Sequence, residues 1–137
     1  MKLENILQSK SEVAEELPMS KLIDFGLATK MDRDGKGTAL MKCGTMGYMA
    51  PEMSESREIT PAIDMWAFGV CLYEMSTAYK PTAVRNYSYG SGPLPFLPRD
   101  WRKRNKQLQN LISACMTTDP NERITAYDAL NHPWFTE

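Results

Sequence analysis

Asn5 and Asp24 carry oxygen donors of the kind a hard divalent cation prefers, an amide carbonyl and a carboxylate. Asp24 opens the run Asp24-Phe25-Gly26, and a second tripeptide, Ala50-Pro51-Glu52, follows downstream. Oxygen donors of this type suit phosphoryl transfer, whose transition state spreads negative charge over three phosphate oxygens and asks for cations and positioning more than covalent chemistry. Each piece also has an ordinary reading when taken alone. Asp24-Phe25-Gly26 then becomes a strand running into a turn, and Lys2, Glu4 and Asn5 a polar N-terminus.

The elements that must position these groups can be read from periodicity and turn chemistry. Asn5 to Gln8 and Lys21 to Asp24 are short apolar-flanked runs separated by the polar stretch Ser9 to Ser20, and they predict the two strands of a small hairpin. Thr60-Pro61 is a helix-start signal, a capping hydroxyl followed by proline at the first helical position, and predicts a helix to about Ser76. Apolar residues from Ile63 to Met75 cover most of its circumference, the pattern of a buried helix. Thr77 to Arg99 carries four prolines and two glycines and predicts a loop. Leu108, Leu111, Ile112, Cys115 and Met116 fall on one helical stripe, which Asp119-Pro120 should stop. Thr125 with Asp128 three residues later resembles a capping box and starts a final helix to about Asn131. The expected fold class is α+β, mostly helical, with a small β-hairpin near the N-terminus.

Composition excludes several classes of function. The 137 residues make one domain, long enough to bury roughly two thirds of its unfolded surface. A net charge of -1 gives no overall attraction to nucleic acid or to an anionic membrane, so neither partner is expected. No apolar run approaches the roughly 18 residues a membrane span needs. Cys43, Cys71 and Cys115 are odd in number and lack a C-x-x-C pair, which argues against a disulfide framework or a zinc site and for reduced thiols in a cytoplasmic or nuclear setting. Arg99, Arg102, Lys103, Arg104 and Lys106 gather beside Trp101 and read as a solvated loop and helix start. His132, the one histidine, reads as packing, and so do Met41, Met46, Met49 and Met53.

Taken in order, several motifs resemble one family. Met1-Lys2-Leu3-Glu4-Asn5 is similar to the tail of a catalytic loop of pattern H-R-D, four residues, then Asn. Asp24-Phe25-Gly26, Gly44-Thr45-Met46-Gly47-Tyr48-Met49, Ala50-Pro51-Glu52, Asp64-Met65-Trp66-Ala67-Phe68-Gly69 and Asp119-Pro120-Asn121-Glu122-Arg123 follow. Order and spacing resemble the C-terminal lobe of a eukaryotic-type serine/threonine protein kinase, over essentially the whole chain. The resemblance implies one partial kinase domain: catalytic-loop tail 1–5, hairpin 5–24, activation segment 24–52 and helical base 60–137. The chain contains no G-x-G-x-x-G and no V-A-I-K. A missing N-lobe is therefore an expected partner, a His-Arg-Asp is expected just before Met1, and Met1 reads as an internal methionine.

By that resemblance the cofactors are ATP and Mg2+. Asp24 would bind the magnesium bridging the outer phosphates, Asn5 would bind the second ion, and Lys2 would steady the transferred phosphate. Thr45 would hydrogen-bond toward Lys2 and the catalytic aspartate. Leu7 matches the floor under the adenine, Ile23 the lining of the same pocket, and Glu4 a position near the ribose and the incoming peptide. Glu52 and Arg123 would form a buried ion pair, and Asp64 would accept backbone N–H groups of the catalytic loop. Thr29 and Thr38 lie in the activation segment, and Thr38 is the favoured phosphorylation site. The ending Asn131-His132-Pro133-Trp134-Phe135 resembles that of calcium/calmodulin-dependent and related kinases, whereas Thr77 to Arg99 departs from their pattern. The implied function is transfer of the ATP γ-phosphoryl group to a protein serine or threonine hydroxyl, with the isolated chain inactive. The alternative is a non-catalytic, pseudokinase-like or protein-binding module. An apolar surface facing the absent lobe would favour self-association.

Overall fold

A sixteen-residue helix, α1 (Ala62–Thr77), is the axis about which the remaining elements pack. The computed structural model describes residues 1–9, 18–39 and 44–136. Trp66, Ala67, Val70, Cys71 and Tyr73 are all buried, as an apolar helix requires, but Met75 points outward and is 60% exposed. Thr60 does not cap the helix with its hydroxyl. Pro61 is helical, at φ -55°, as expected of proline at the first position of a helix. The first turn closes instead through the Ile63 N–H on the Thr60 carbonyl (3.2 Å) and the Asp64 N–H on the Pro61 carbonyl (3.0 Å).

Chain order before α1 is β1 (Ile6–Gln8), β2 (Ser20–Leu22), β3 (Gly37–Thr38), and β4 (Glu58–Ile59). β1 and β2 form the expected antiparallel hairpin, with Ile6 opposite Leu22 and Gln8 opposite Ser20. Both expected runs are trimmed at the end nearer the site: Asn5 closes a 3-10 turn (Leu3–Asn5), and Asp24 lies beyond β2. The Ile23 N–H still donates to the Asn5 carbonyl (2.9 Å). β3 and β4 make a second two-stranded sheet, Gly37 opposite Ile59, which is too short to leave a periodic signal. Met41, Cys43 and most of the stretch between Ser9 and Ser20 lie outside the described residues.

After α1 come α2 (Pro98–Trp101), α3 (Lys106–Cys115), α4 (Ala126–Leu130) and α5 (Pro133–Thr136). The segment from Thr77 is mostly irregular, as its prolines predict, but it contains a 3-10 turn (Pro81–Ala83), and α2 takes its last residues. Aromatic contacts tie it to the core: Trp66–Tyr89 and Tyr73–Trp101 have ring centroids 5.0 and 5.2 Å apart. α3 buries Leu108, Leu111, Ile112 and Cys115 against α1, and the Asn105 side chain accepts from the Gln107 N–H (2.7 Å) to start it. The helix ends at Cys115, before Asp119-Pro120 could stop it. Gly69 permits the close approach of the two helices: a Cβ there would lie 2.6 Å from Met116 Cγ and 2.8 Å from Cys115 Cβ.

Thr125 caps α4 as expected, its Oγ1 accepting from the Asp128 N–H (3.1 Å). His132 accepts from the Trp134 N–H through Nδ1 (3.2 Å), a local turn contact beside α5. The fold is helix-rich with two small antiparallel sheets. Among the described residues, no helix is long and apolar enough to cross a membrane.

Candidate active site

The hairpin brings Asn5 and Asp24 together. Asp24 adopts a left-handed backbone at φ 63°, a conformation that aspartate tolerates better than most residues but that still stores strain. The Gly26 N–H donates to Asp24 Oδ1 (3.3 Å), and Asn5 Nδ2 donates to Asp24 Oδ2 (3.3 Å). With its amide nitrogen engaged by the carboxylate, Asn5 keeps its carbonyl oxygen for another electrophile. Both side chains line a cavity of about 300 Å³ that Ile23, Phe25, Thr45 and Asp64 also line.

The donor set fits magnesium. Among the described residues, no three His, Cys, Asp or Glu side chains gather to hold a metal by themselves. One carboxylate and one amide oxygen are what Mg2+ takes when phosphate oxygens and water fill the rest of its shell.

Other expected site residues are placed less uniformly. Thr45 shares the cavity with Asn5 and Asp24, but Lys2 does not line it. The expected Thr45–Lys2 hydrogen bond is not formed: Thr45 is exposed at the start of a turn, where its carbonyl accepts from the Tyr48 N–H (3.1 Å). Lys2 precedes the 3-10 turn, its carbonyl accepting from the Asn5 N–H (3.1 Å). Leu7 lies opposite Lys21, so strand alternation puts Leu7 and Ile23 on one face of the hairpin. Both are exposed, and Ile23 reaches the cavity whereas Leu7 and the exposed Glu4 do not. Asp64 is approached by the Met1 amino nitrogen at 3.7 Å, and no backbone N–H donates to it among the described residues. Thr38 is exposed in β3, opposite Glu58.

Gly44 to Tyr48 is fastened from below by residues the sequence did not single out. Tyr48 is buried, its hydroxyl donates to Glu74, and Glu74 also pairs with Lys80 at 3.2 Å. Lys80 Nζ sits 4.5 Å from the Tyr48 ring centroid. Burial and the Glu74 carboxylate push the Tyr48 hydroxyl well above the ordinary tyrosine range. Tyr89 donates its hydroxyl to the Gly47 carbonyl. Gly47 itself is at φ 89°, a left-handed backbone that favours glycine, and a Cβ there would lie 2.8 Å from Lys80 Cδ, so the Lys80 side chain would have to shift. These contacts span 26 to 42 residues of sequence, which no local pattern encodes. Of the methionines nearby, Met49 and Met53 are partly buried, whereas Met46 is 88% exposed.

Ala50-Pro51-Glu52 is held more firmly still. Arg123 Nη1 and Nη2 donate to the two Glu52 oxygens at 2.7 and 3.0 Å. The same guanidinium donates to the carbonyls of Ala62, Thr117 and Thr118 and stacks 5.0 Å from the Trp66 ring. This is the expected ion pair, with the Arg123 side chain fully buried.

Comparison with known proteins places this geometry. The Protein kinase domain family model matches residues 1–135. The calcium/calmodulin-dependent protein kinase cmkB of Emericella nidulans is 31% identical over 98% of this chain and 34% of its own length. The calcium/calmodulin-dependent protein kinase type II alpha chain of Drosophila melanogaster is 35% identical over 85% of this chain and 23% of its own. Human serine/threonine-protein kinase DCLK3 is 32% identical over 98% of this chain and 21% of its own. The chain thus spans about a third or less of the length of these curated relatives.

Proposed function

This chain belongs to the protein kinase domain family, and from that premise we propose that it is the C-terminal lobe of an ATP-dependent serine/threonine protein kinase. The observation that carries the reading is the convergence of Asn5 and Asp24, joined by a 3.3 Å hydrogen bond at a cavity that Thr45 also lines. Asp24 and Asn5 hold Mg2+, which neutralises charge on the ATP phosphates when bound. Lys2 and Thr45 serve the transferred phosphate and the incoming hydroxyl, while Leu7, Ile23 and Glu4 face the nucleotide and peptide. The names of the relatives support serine and threonine as acceptors.

The 137 residues contain neither a glycine-rich phosphate loop nor a V-A-I-K lysine, so the polypeptide alone does not phosphorylate a peptide and requires an N-lobe. Cys71 and Cys115 are buried free thiols, which supports a reducing, cytoplasmic or nuclear location. Binding of Mn2+ with ADP, followed by the loss of the free-Mn2+ paramagnetic resonance signal, tests the site without requiring turnover. We expect Asp24→Asn to weaken Mn2+ retention at least tenfold and Asn5→Ala several-fold. Retention equal to that of the unsubstituted chain in both variants would overturn the reading.

A further inference from the structure

A second cavity, of about 510 Å³, lies away from the Asn5–Asp24 site, between α3 and the irregular segment 87–96. Its size is in the range of pockets that take ligands, roughly 300 to 1,000 Å³. Trp66, Phe96 and Met116 line it from the core side. Trp66 is 1% exposed, yet its indole N–H has no acceptor among the described residues. That donor is itself closed off from solvent, so what the cavity offers a ligand is the partly buried apolar surface of Leu94 and Phe96 beside the α3 wall.

The α3 wall is polar. Lys106, Asn110, Ser113 and Thr117 recur at helical spacing and all line the cavity. Among the described residues, Lys106 is the one formally charged member of the lining. It occupies the first position of α3, where the helix dipole favours an acid. A cation placed against its local preference at the mouth of a cavity points to an anionic ligand. The field extends beyond the cavity: Arg99, Arg102, Lys103, Arg104 and Lys106 are all exposed, with one carboxylate, Asp100, among them. Asp100 is engaged by Tyr79 (2.5 Å) and Arg99 (3.1 Å). Arg102, Lys103 and Lys106 form no salt bridge among the described residues.

We propose that this cavity and the adjoining basic stretch are a docking site for a short acidic segment of a protein partner. An apolar side chain of the segment packs on Leu94 and Phe96, and flanking carboxylates meet Lys106 and the 99–104 cations. The site is independent of the phosphate-handling residues and does not rest on phosphoryl transfer.

The test is fluorescence anisotropy of the 137-residue chain with a fluorescein-labelled nonapeptide in which aspartates flank a central Leu-Phe pair. Saturable binding is expected at 0.15 M salt. Lys106→Glu should weaken it about tenfold without loss of folding, because an acid at that position agrees with the helix dipole. Ser113→Trp, on an exposed position of the wall, should weaken it by a similar factor by filling the mouth. The same peptide with both apolar residues replaced by serine should bind at least tenfold more weakly. No saturable binding would overturn the proposal, and so would binding indifferent to Ser113→Trp, which marks adsorption by charge alone. Tighter binding of polyuridylate that the peptide fails to displace would reassign the surface to nucleic acid and equally overturn it.

Discussion

The helical base and the hairpin edge obey opposite rules. In the base, α1 and α3 meet through Gly69 with Val70, Cys71, Leu111, Ile112 and Cys115 at 0% exposure. At the hairpin edge, Leu7, Leu22, Ile23, Phe25 and Leu27 are between 40% and 69% exposed, although their residue types would suit a core. Large apolar side chains left this exposed add little to stability, and they are the type that interaction faces use. The difference teaches that this chain concentrates its packing in one half and places the proposed Mg2+-holding pair in the other. Asn5 and Asp24 sit on the half with little packing behind it, and Asp24 in addition takes a strained backbone.

The sharpest way to break the base is Arg123→Ala. It strands Glu52 and orphans three carbonyls, so we expect a loss of about 3 to 5 kcal/mol in denaturant unfolding. Gly69→Ala forces a methyl into the α1–α3 seam and should cost about 1 to 3 kcal/mol in the same assay, with an unchanged slope. Tyr48→Phe leaves Lys80 to satisfy Glu74, so the loss should be nearer 1.5 kcal/mol, read as a drop in melting temperature.

Alkaline pH erodes the base more gently. Burial lifts the Cys71 thiol to about 11 and the Cys115 thiol to about 12, from an ordinary value of 9.0. The folded state then keeps protons that the unfolded chain releases. This contribution is complete below about pH 9 and is lost as pH rises through 11 to 12, so melting temperature should fall across that window. Phe25→Ser should have the smallest effect on stability: with its side chain 69% exposed, it should leave the melting curve unchanged while reducing self-association in sedimentation. A destabilisation comparable to that of Gly69→Ala would dissolve the distinction between the two halves.

The parts of this molecule written in local pattern were legible in the sequence. The α3 stripe from Leu108 to Met116 and the Thr125 cap follow from helical spacing and side-chain chemistry, and both are present as read. The Thr60-Pro61 start was legible in part: Pro61 is helical as read, while the first turn closes on the Thr60 carbonyl and not on its hydroxyl. Asn5 and Asp24 were legible as a pair through their motifs, and the hairpin register supplies their proximity. The Tyr48–Glu74–Lys80 group was not legible, because its members meet only after α1 has folded and carry no spacing signal.

Arg123 has a consequence for how the molecule moves. One guanidinium near the C-terminus reaches back 71 positions to Glu52 and on the way takes hold of the first carbonyl of α1. The stretch that ends in Ala50-Pro51-Glu52 is therefore moored at its trailing end by Arg123, as Gly47 and Tyr48 are moored further up by Tyr89 and Glu74. Loss of the Arg123 contact would thus loosen this stretch at Glu52 first, leaving Gly47 and Tyr48 still held by Tyr89 and Glu74.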